Sequence, residues 1–185
     1  MVACPTRRAT PEFAADFAAD GFANRAAMLA YIGLGANLGD ARGALDAAQL
    51  AIAALPGTTL LAASSIYRSA PIESSGPDYL NAVVKVRTAL DAHALLAALL
   101  SIEAQHGRAR PYRNAPRTLD LDVLLCGAQQ VDTRDLTVPH PRLHERAFVL
   151  APLAEIAPRL QVPGRGRVDR LLAGLAGQRV DRLCA

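Results

Sequence analysis

Apolar residues recur along this chain with two different periods, and the switches between those periods mark out its elements. Leu29 to Leu34 is an apolar run of strand length that leads into the turn residues Gly35-Ala36-Asn37-Leu38-Gly39-Asp40. Asp40 is placed to cap a helix over 41–55, with Leu45, Ala48, Ile52 and Leu55 on its inner face and Pro56-Gly57 as its stop. A strand over 58–68 and a loop from Ala70 to Pro77 follow. A third strand spans 79–88, where Val84 and Val86 alternate with Lys85 and Arg87. Asp91 opens a second helix carrying Leu95, Leu96, Leu99 and Ile102, with Gly107 as its C-cap. The clearest period-two segment is 117–126, in which Asp120 and Asp122 share one face while Leu119, Leu121, Val123 and Leu125 fill the other. Beyond a turn at Gly127 come a brief strand, the segment Val138-Pro139-His140-Pro141, a helical turn over 143–151 and a C-terminal helix over 167–174.

Strand, helix, strand, strand, helix, strand is the order of an α+β, ferredoxin-like fold: an antiparallel sheet with helices packed on one face, in a single domain. Residues 1–28 stand apart. Phe13-Ala14-Ala15-Asp16 repeats as Phe17-Ala18-Ala19-Asp20, and alanine-rich sequence runs on to Met28, so this stretch reads as a flexible extension ahead of a domain over 29–185. The 185 residues are 51% hydrophobic, enough to fill one core. A net charge of +3 is small, so the basic residues, of which only Lys85 is lysine, do not by themselves call for a nucleic-acid partner. Cys4, Cys126 and Cys184 are scattered and odd in number, which points to a reducing compartment, the cytoplasm by default. No apolar run approaches the length of a membrane span, and Glu12, Asp16 and Asp20 interrupt the first residues where a signal peptide needs an apolar core.

Asp120 and Asp122 are the first candidate chemistry. Their backbones lie about 7 Å apart on one strand face, a spacing from which two carboxylates converge on one Mg²⁺ or bracket a pair of ions. Taken alone, the pair fits a solvated acidic strand face more often than a metal site. The segment just before it, Gly107 to Arg117, holds four arginines and no acid. Its prolines and glycine exclude a continuous helix, leaving a loop whose guanidinium groups suit phosphate oxygens. Arg142 and Arg146 form a second basic pair that could close the same site. Gly33-Leu34-Gly35 matches neither phosphate-loop register, so its expected role is structural, a tight turn or a close backbone approach.

These residues sit within six ordered motifs: Gly35-Ala36-Asn37-Leu38-Gly39-Asp40, Ser64-Ser65-Ile66-Tyr67-Arg68, Pro77-Asp78-Tyr79-Leu80-Asn81-Ala82, Ile102-Glu103 with Gly107-Arg108, Pro116-Arg117-Thr118-Leu119-Asp120-Leu121-Asp122, and Val138-Pro139-His140-Pro141-Arg142. Together they resemble the signatures of 6-hydroxymethyl-7,8-dihydropterin pyrophosphokinases over about Leu29 to Pro163. The resemblance implies an ATP-dependent enzyme of folate biosynthesis that moves pyrophosphate from ATP to the pterin hydroxymethyl group, releases AMP and uses two Mg²⁺ ions. It assigns both metals to Asp120 and Asp122, and catalysis to these two with Arg110 and Arg117. Contacts to ATP fall to Glu103, Arg110, Arg117, Val123, His140 and Arg146. Pterin contacts fall to Ser69, Ile72, Tyr79, Asn81 and Phe148, the two aromatics sandwiching the ring and the amide reading its edge. Singly, Tyr79 and Phe148 read as core and Asn81 as a turn or strand-edge residue.

The chain departs from the family pattern in having no tryptophan before Pro116-Arg117, where Arg113-Asn114-Ala115 stands, and in Ala36 and Ala70, where serine and proline are common. The expected partners are the two small-molecule substrates, with a monomeric chain and neither nucleic acid nor membrane. Two rivals use some of the same features. A ferredoxin-like RNA-binding module would share the element order and arginines, but aromatics are only 4% of residues, too few for a base-stacking platform. A metal-dependent phosphohydrolase would share the carboxylate strand without needing a pterin pocket.

Overall fold

A computed structural model describes residues 26–71, 76–106 and 118–184. Most of the proposed N-terminal extension, together with Ile72, Gly107, Arg110 and Arg117, lies outside these residues.

The described chain begins with β1 (Met28–Ala36), α1 (Ala41–Ala53), β2 (Thr58–Ala63), β3 (Tyr67–Ser69), β4 (Tyr79–Thr88), α2 (Ala92–Gln105) and β5 (Asp120–Cys126). Each long helix starts where an aspartate accepts from a backbone N–H of the first turn, Asp40 from Gly43 and Asp91 from Ala94, both at 2.9 Å. Caps of this kind contribute about 1 kcal/mol each. α2 ends at Gln105 with His106 as its capping residue. The expected strand over 58–68 is two strands, because Ser64 to Ile66 leave the ladder. Ser64 bridges the break by accepting the Val83 N–H on its hydroxyl while donating its own N–H to the Val83 carbonyl, both at 2.9 Å.

All pairings in the main sheet are antiparallel, and its central order is β3-β4-β1-β5, with β2 also on β4. Taking β2 and β3 as one interrupted edge, this is the ferredoxin-like arrangement. A further strand, β10 (Val180–Arg182), extends it by pairing with β3, an addition too short and too mixed in polarity to stand out as a strand in the sequence. Between them lie the hairpins β6 (Val131–Asp132) with β7 (Thr137–Val138) and β8 (Gln161–Val162) with β9 (Gly166–Arg167), a 3₁₀ turn at Leu143–Glu145, α3 (Ala147–Ile156) and α4 (Val168–Ala173). Gly127 takes φ of 57° in the turn leaving β5, a left-handed conformation that favours glycine.

The expectation of helices on one face only is corrected by the packing. One face of the sheet is covered by α1 and α2 over Ala30, Ile32, Leu34, Val84 and Val86. The other face carries a second apolar cluster, with Tyr31, Val83, Leu124 and Leu125 against Leu150 and Leu153 of α3 and Val168 of α4. Leu125 is also on the wrong face for strict alternation. Tyr31 pairs with Leu125 and Ile32 with Val123, so Leu124 is an extra residue in a β-bulge. The bulge resets the phase, placing Leu124 and Leu125 in the second cluster and returning Cys126 to the first.

Candidate active site

The second face is not covered along its whole length. Toward the C-terminal end of β1 it opens into a cavity lined by residues from every central strand and from α3. Its geometry follows from strand register. Tyr67 of β3, Asn81 of β4, Gly35 of β1 and Asp120 of β5 form one row across the sheet. Val83, Gly33 and Asp122 form the next. Because side chains two apart share a face, both aspartates, Tyr79 and Asn81 point to the same side as the two glycine positions. The glycines are therefore neither a turn nor a phosphate loop: they lie inside a strand, where Gly35 leaves a bare patch of floor and Gly33 makes room for the Leu124 side chain. A Cβ at Gly33 would meet the Leu124 side chain at 3.3 Å, whereas one at Gly35 would meet only Asn81 Oδ1, at 3.7 Å.

At one end of the floor are the carboxylates. Asp120 and Asp122 are half-buried and line the cavity, while Leu121 between them is buried in the opposite core. Glu103 reaches β5 from α2 and accepts the Leu121 N–H at 2.7 Å. It is only 1% exposed, on the core side of the strand, so the structure brings it to the backbone between the aspartates and not to the cavity lining. Val123 is likewise placed elsewhere by alternation: its side chain is in the core beneath α1 and α2. Thr118 donates to the His106 carbonyl at 2.9 Å, tying the start of the aspartate strand to the end of α2.

At the other end are Tyr79, Asn81 and Ser69. Asn81 is buried, and its Nδ2 donates to Ser69 Oγ at 3.0 Å, which fixes the amide at the edge of the floor. Phe148 and Val149 of α3 form the facing wall, so Tyr79 and Phe148 border one cavity from the sheet and from the helix. Arg142 and Arg146 stand at the rim, and the Arg146 guanidinium lies 5.6 Å from the centre of the Phe148 ring.

His140 is near this rim but outside the lining. Its N–H donates to the Leu124 carbonyl at 2.9 Å, and its Nδ1 accepts the Arg142 N–H at 3.2 Å. Burial, then the positive charges of Arg146 and Arg142, hold the imidazole down to about 4 against the opposing pull of Asp120. The ring is therefore neutral near pH 7 and can accept or donate a hydrogen bond without carrying charge.

Of the sequence candidates, the structure brings together Asp120, Asp122, Ser69, Tyr79, Asn81, Arg146 and Phe148, and places Glu103, Val123 and His140 around them. Arg110, Arg117 and Ile72 lie outside the described residues. The residues whose role sequence reasoning missed are Gly33 and Gly35. The available signal was a G-x-G at strand period beside a D-x-D, two patterns that can share a face only on neighbouring strands.

The arrangement offers a cavity bordered by two aromatic residues, joined over the bare backbone at Gly35 to a pair of carboxylates, with arginines at the rim. Such a site can hold a planar ring at one end and a charged, metal-binding group at the other. A family model described as 7,8-dihydro-6-hydroxymethylpterin-pyrophosphokinase matches residues 31–158. The chain is 44% identical over 155 residues to a 2-amino-4-hydroxy-6-hydroxymethyldihydropteridine pyrophosphokinase of Methylorubrum extorquens, covering 83% of this chain and 98% of that one. It is 43% identical over 154 residues to the protein of the same name from Pseudomonas aeruginosa, covering 83% and 95%. Among solved structures it is similar to an HPPK-DHPS in complex with substrates, at a TM-score of 0.64 and 14% identity over 82% of this chain. It is also similar to Plasmodium falciparum HPPK-DHPS with pterin and p-hydroxybenzoate, at 0.66 and 12% over 84%. The chain spans 44% of the length of each of these two, and at such identities they bear on the fold alone. By the extent of the family match and the identity of its relatives, the chain belongs to the 7,8-dihydro-6-hydroxymethylpterin-pyrophosphokinase family.

Proposed function

We propose that this chain transfers the terminal pyrophosphate of ATP to the hydroxymethyl group of 6-hydroxymethyl-7,8-dihydropterin, a step of folate biosynthesis. The observation that carries this reading is the shared cavity: Tyr79, Asn81 and Phe148 face the same floor as Asp120 and Asp122. In the reaction the pterin hydroxymethyl oxygen attacks the β-phosphorus of ATP. The bond from that phosphorus to the α–β bridging oxygen breaks, AMP leaves with the electron pair, and the hydroxyl proton is released.

Tyr79 and Phe148 would stack on the two faces of the pterin, and Asn81 and Ser69 would bond its edge. This orients the hydroxymethyl group toward the aspartate end of the floor, where positioning supplies most of the rate enhancement. Arg146 would bind phosphate oxygens together with Arg110 and Arg117, and the neutral His140 would add an uncharged hydrogen bond at the nucleotide. Glu103 and Val123 would act near the nucleotide through the strand they support. Ile72 would contribute to the pterin side.

The donor set fits magnesium. Asp120 and Asp122 offer hard oxygen donors, and among the described residues no cluster of three or more His, Cys, Asp or Glu forms a complete protein cage. Mg²⁺ is characteristically held by one or two carboxylates, with water and substrate phosphate completing its shell. When bound, two such ions would neutralise the polyphosphate and the charge that develops on the leaving AMP. The same reading takes the chain to act as a cytoplasmic monomer, with its folded domain starting near Met28 behind an N-terminal extension. Among the described residues no helix is long and apolar enough to cross a membrane.

The test is incubation with Mg²⁺ and ATP, with and without the pterin. AMP formed only when the pterin is present is the expected result. Phosphate or AMP released equally without it would replace this reading with a phosphohydrolase, and salt-sensitive RNA binding without turnover would replace it with an RNA-binding module.

A further inference from the structure

The wall of the cavity that carries Phe148 begins at a helix terminus with no cap of its own. Arg146 occupies the N-cap position of α3, and its side chain makes no capping hydrogen bond. The bonds that hold this corner come from far along the chain. Gln178 Oε1 accepts the Ala147 N–H at 2.8 Å, and Gln178 Nε2 donates to the Glu145 carbonyl at 2.8 Å. These two backbone groups flank Arg146, and Phe148 is the next residue of the helix. One amide therefore bonds both sides of the residue that stands at the rim and fixes the first turn of the wall.

Gln178 is held in place independently of those bonds. Its own N–H donates to the Leu175 carbonyl at 2.9 Å in the turn that follows α4, and α4 packs on α3. Two residues later the chain enters β10, where Val180 pairs with Ser69, itself a lining residue. At the far end of α3, Arg182 Nη2 donates to Glu155 Oε1 at 3.0 Å. The stretch from 178 to 182 covers about 13 Å when extended, close to the length of about 15 Å expected for the ten residues of α3. The C-terminal segment thus runs the length of the helix, with Gln178 at the cavity end and Arg182 at the opposite end.

We infer that Gln178 is a positioning residue for the Arg146–Phe148 corner, setting the separation between the Phe148 wall and the Tyr79–Asn81 edge. It lies beyond residue 158, where the family model's match stops. The inference rests on the proposed pterin assignment and extends it to a segment that touches no substrate itself.

The test measures binding of 6-hydroxymethyl-7,8-dihydropterin by calorimetry, with Mg²⁺ and a saturating non-hydrolysable ATP analogue, to the full chain and to two variants. Q178A is expected to raise the pterin Kd about fivefold. R182A, which removes the Glu155 bond at the other end of the same helix together with the Arg182 bonds to Ser65 Oγ, is expected to lower the melting temperature at least as much and to leave the pterin Kd within twofold. A merely structural role would move stability without this split. A Q178A Kd within twofold of the parent, or an equal rise in R182A, overturns the inference. If Q178A does not fold, Q178E, which keeps the acceptor for the Ala147 N–H, takes its place, and a Kd unchanged in a Q178E chain that has lost the Glu145 bond counts against the role. Failure of the parent protein to bind the pterin would instead overturn the proposed function itself.

Discussion

Gly35 shows how little a residue needs in order to matter. Its position on β1 would accept a methyl group, since the nearest atom to an added Cβ is Asn81 Oδ1 at an ordinary contact distance of 3.7 Å. A strand interior gains stability when glycine is replaced, because glycine has the most conformational freedom to lose. Gly35→Ala is therefore expected to melt at the same temperature or higher, yet to raise the pterin KM about tenfold, because the methyl group fills the floor. A variant with normal KM would show that the ring does not lie over this strand. Asp120 and Asp122 behave oppositely. Asp120→Ala or Asp122→Ala is expected to abolish Mg²⁺-dependent AMP formation and to leave the far-ultraviolet circular dichroism unchanged; a variant retaining appreciable turnover would remove the metal assignment. That these carboxylates share one face was legible from the strand period, and the arginine segment and ordered motifs around them, rather than the pair itself, set them apart from an ordinary solvated strand face. The glycines were not legible, because an absent side chain has meaning only once its neighbours across the sheet are known.

The elements divide in the same way. α1, β4 and α2 were readable from period and caps, since Asp40 and Asp91 announce their helices and Val84 and Val86 keep a strict alternation. The bulge at Leu124 was not, because bulges arise from the pairing partner and leave no mark on one strand. Nor was the fastening of α3, which depends on residues distant in sequence. Glu155 accepts the Ser65 N–H and hydroxyl at 3.0 and 2.9 Å and the Tyr67 hydroxyl at 3.0 Å, besides its bond from Arg182. Partial burial would raise its pKa, but these bonds and the Arg182 charge outweigh it, so the carboxyl is held below the ordinary glutamate value. A carboxyl depressed on folding contributes stability that is complete above its unfolded value of about 4.3 and is lost as pH falls through the folded value. Glu155→Gln is thus expected to melt below the parent at pH 7, with the difference closing as pH falls below about 4. A gap that stays constant over that range would mean that the charge of Glu155 has no part in the clasp.

At the scale of the whole molecule, one sheet serves two purposes on its two sides. The face under α1 and α2 is apolar core, and the other is divided between a smaller core and the site. The element order alone predicted the first arrangement, because hydrophobic period reports one buried face well. It could not predict the second, which is built from the short and polar C-terminal pieces. Since β1 begins at Met28, removing residues 1–27 is expected to leave both melting temperature and kcat/KM within experimental error of the full chain. A substantial loss of either would make the extension part of the domain.

The bare backbone at Gly35 also bears on how this protein could be inhibited. A compound resting on Gly35 would lie against main chain, which point substitution cannot change chemically and can only cover with added bulk. In the proposed reaction the pterin occupies the same space, so any residue large enough to expel the compound would expel the substrate with it. Escape by substitution would therefore have to come from the walls, at Tyr79, Phe148 or the segment that sets their separation, and a ligand drawn mainly to the floor would leave few such routes open.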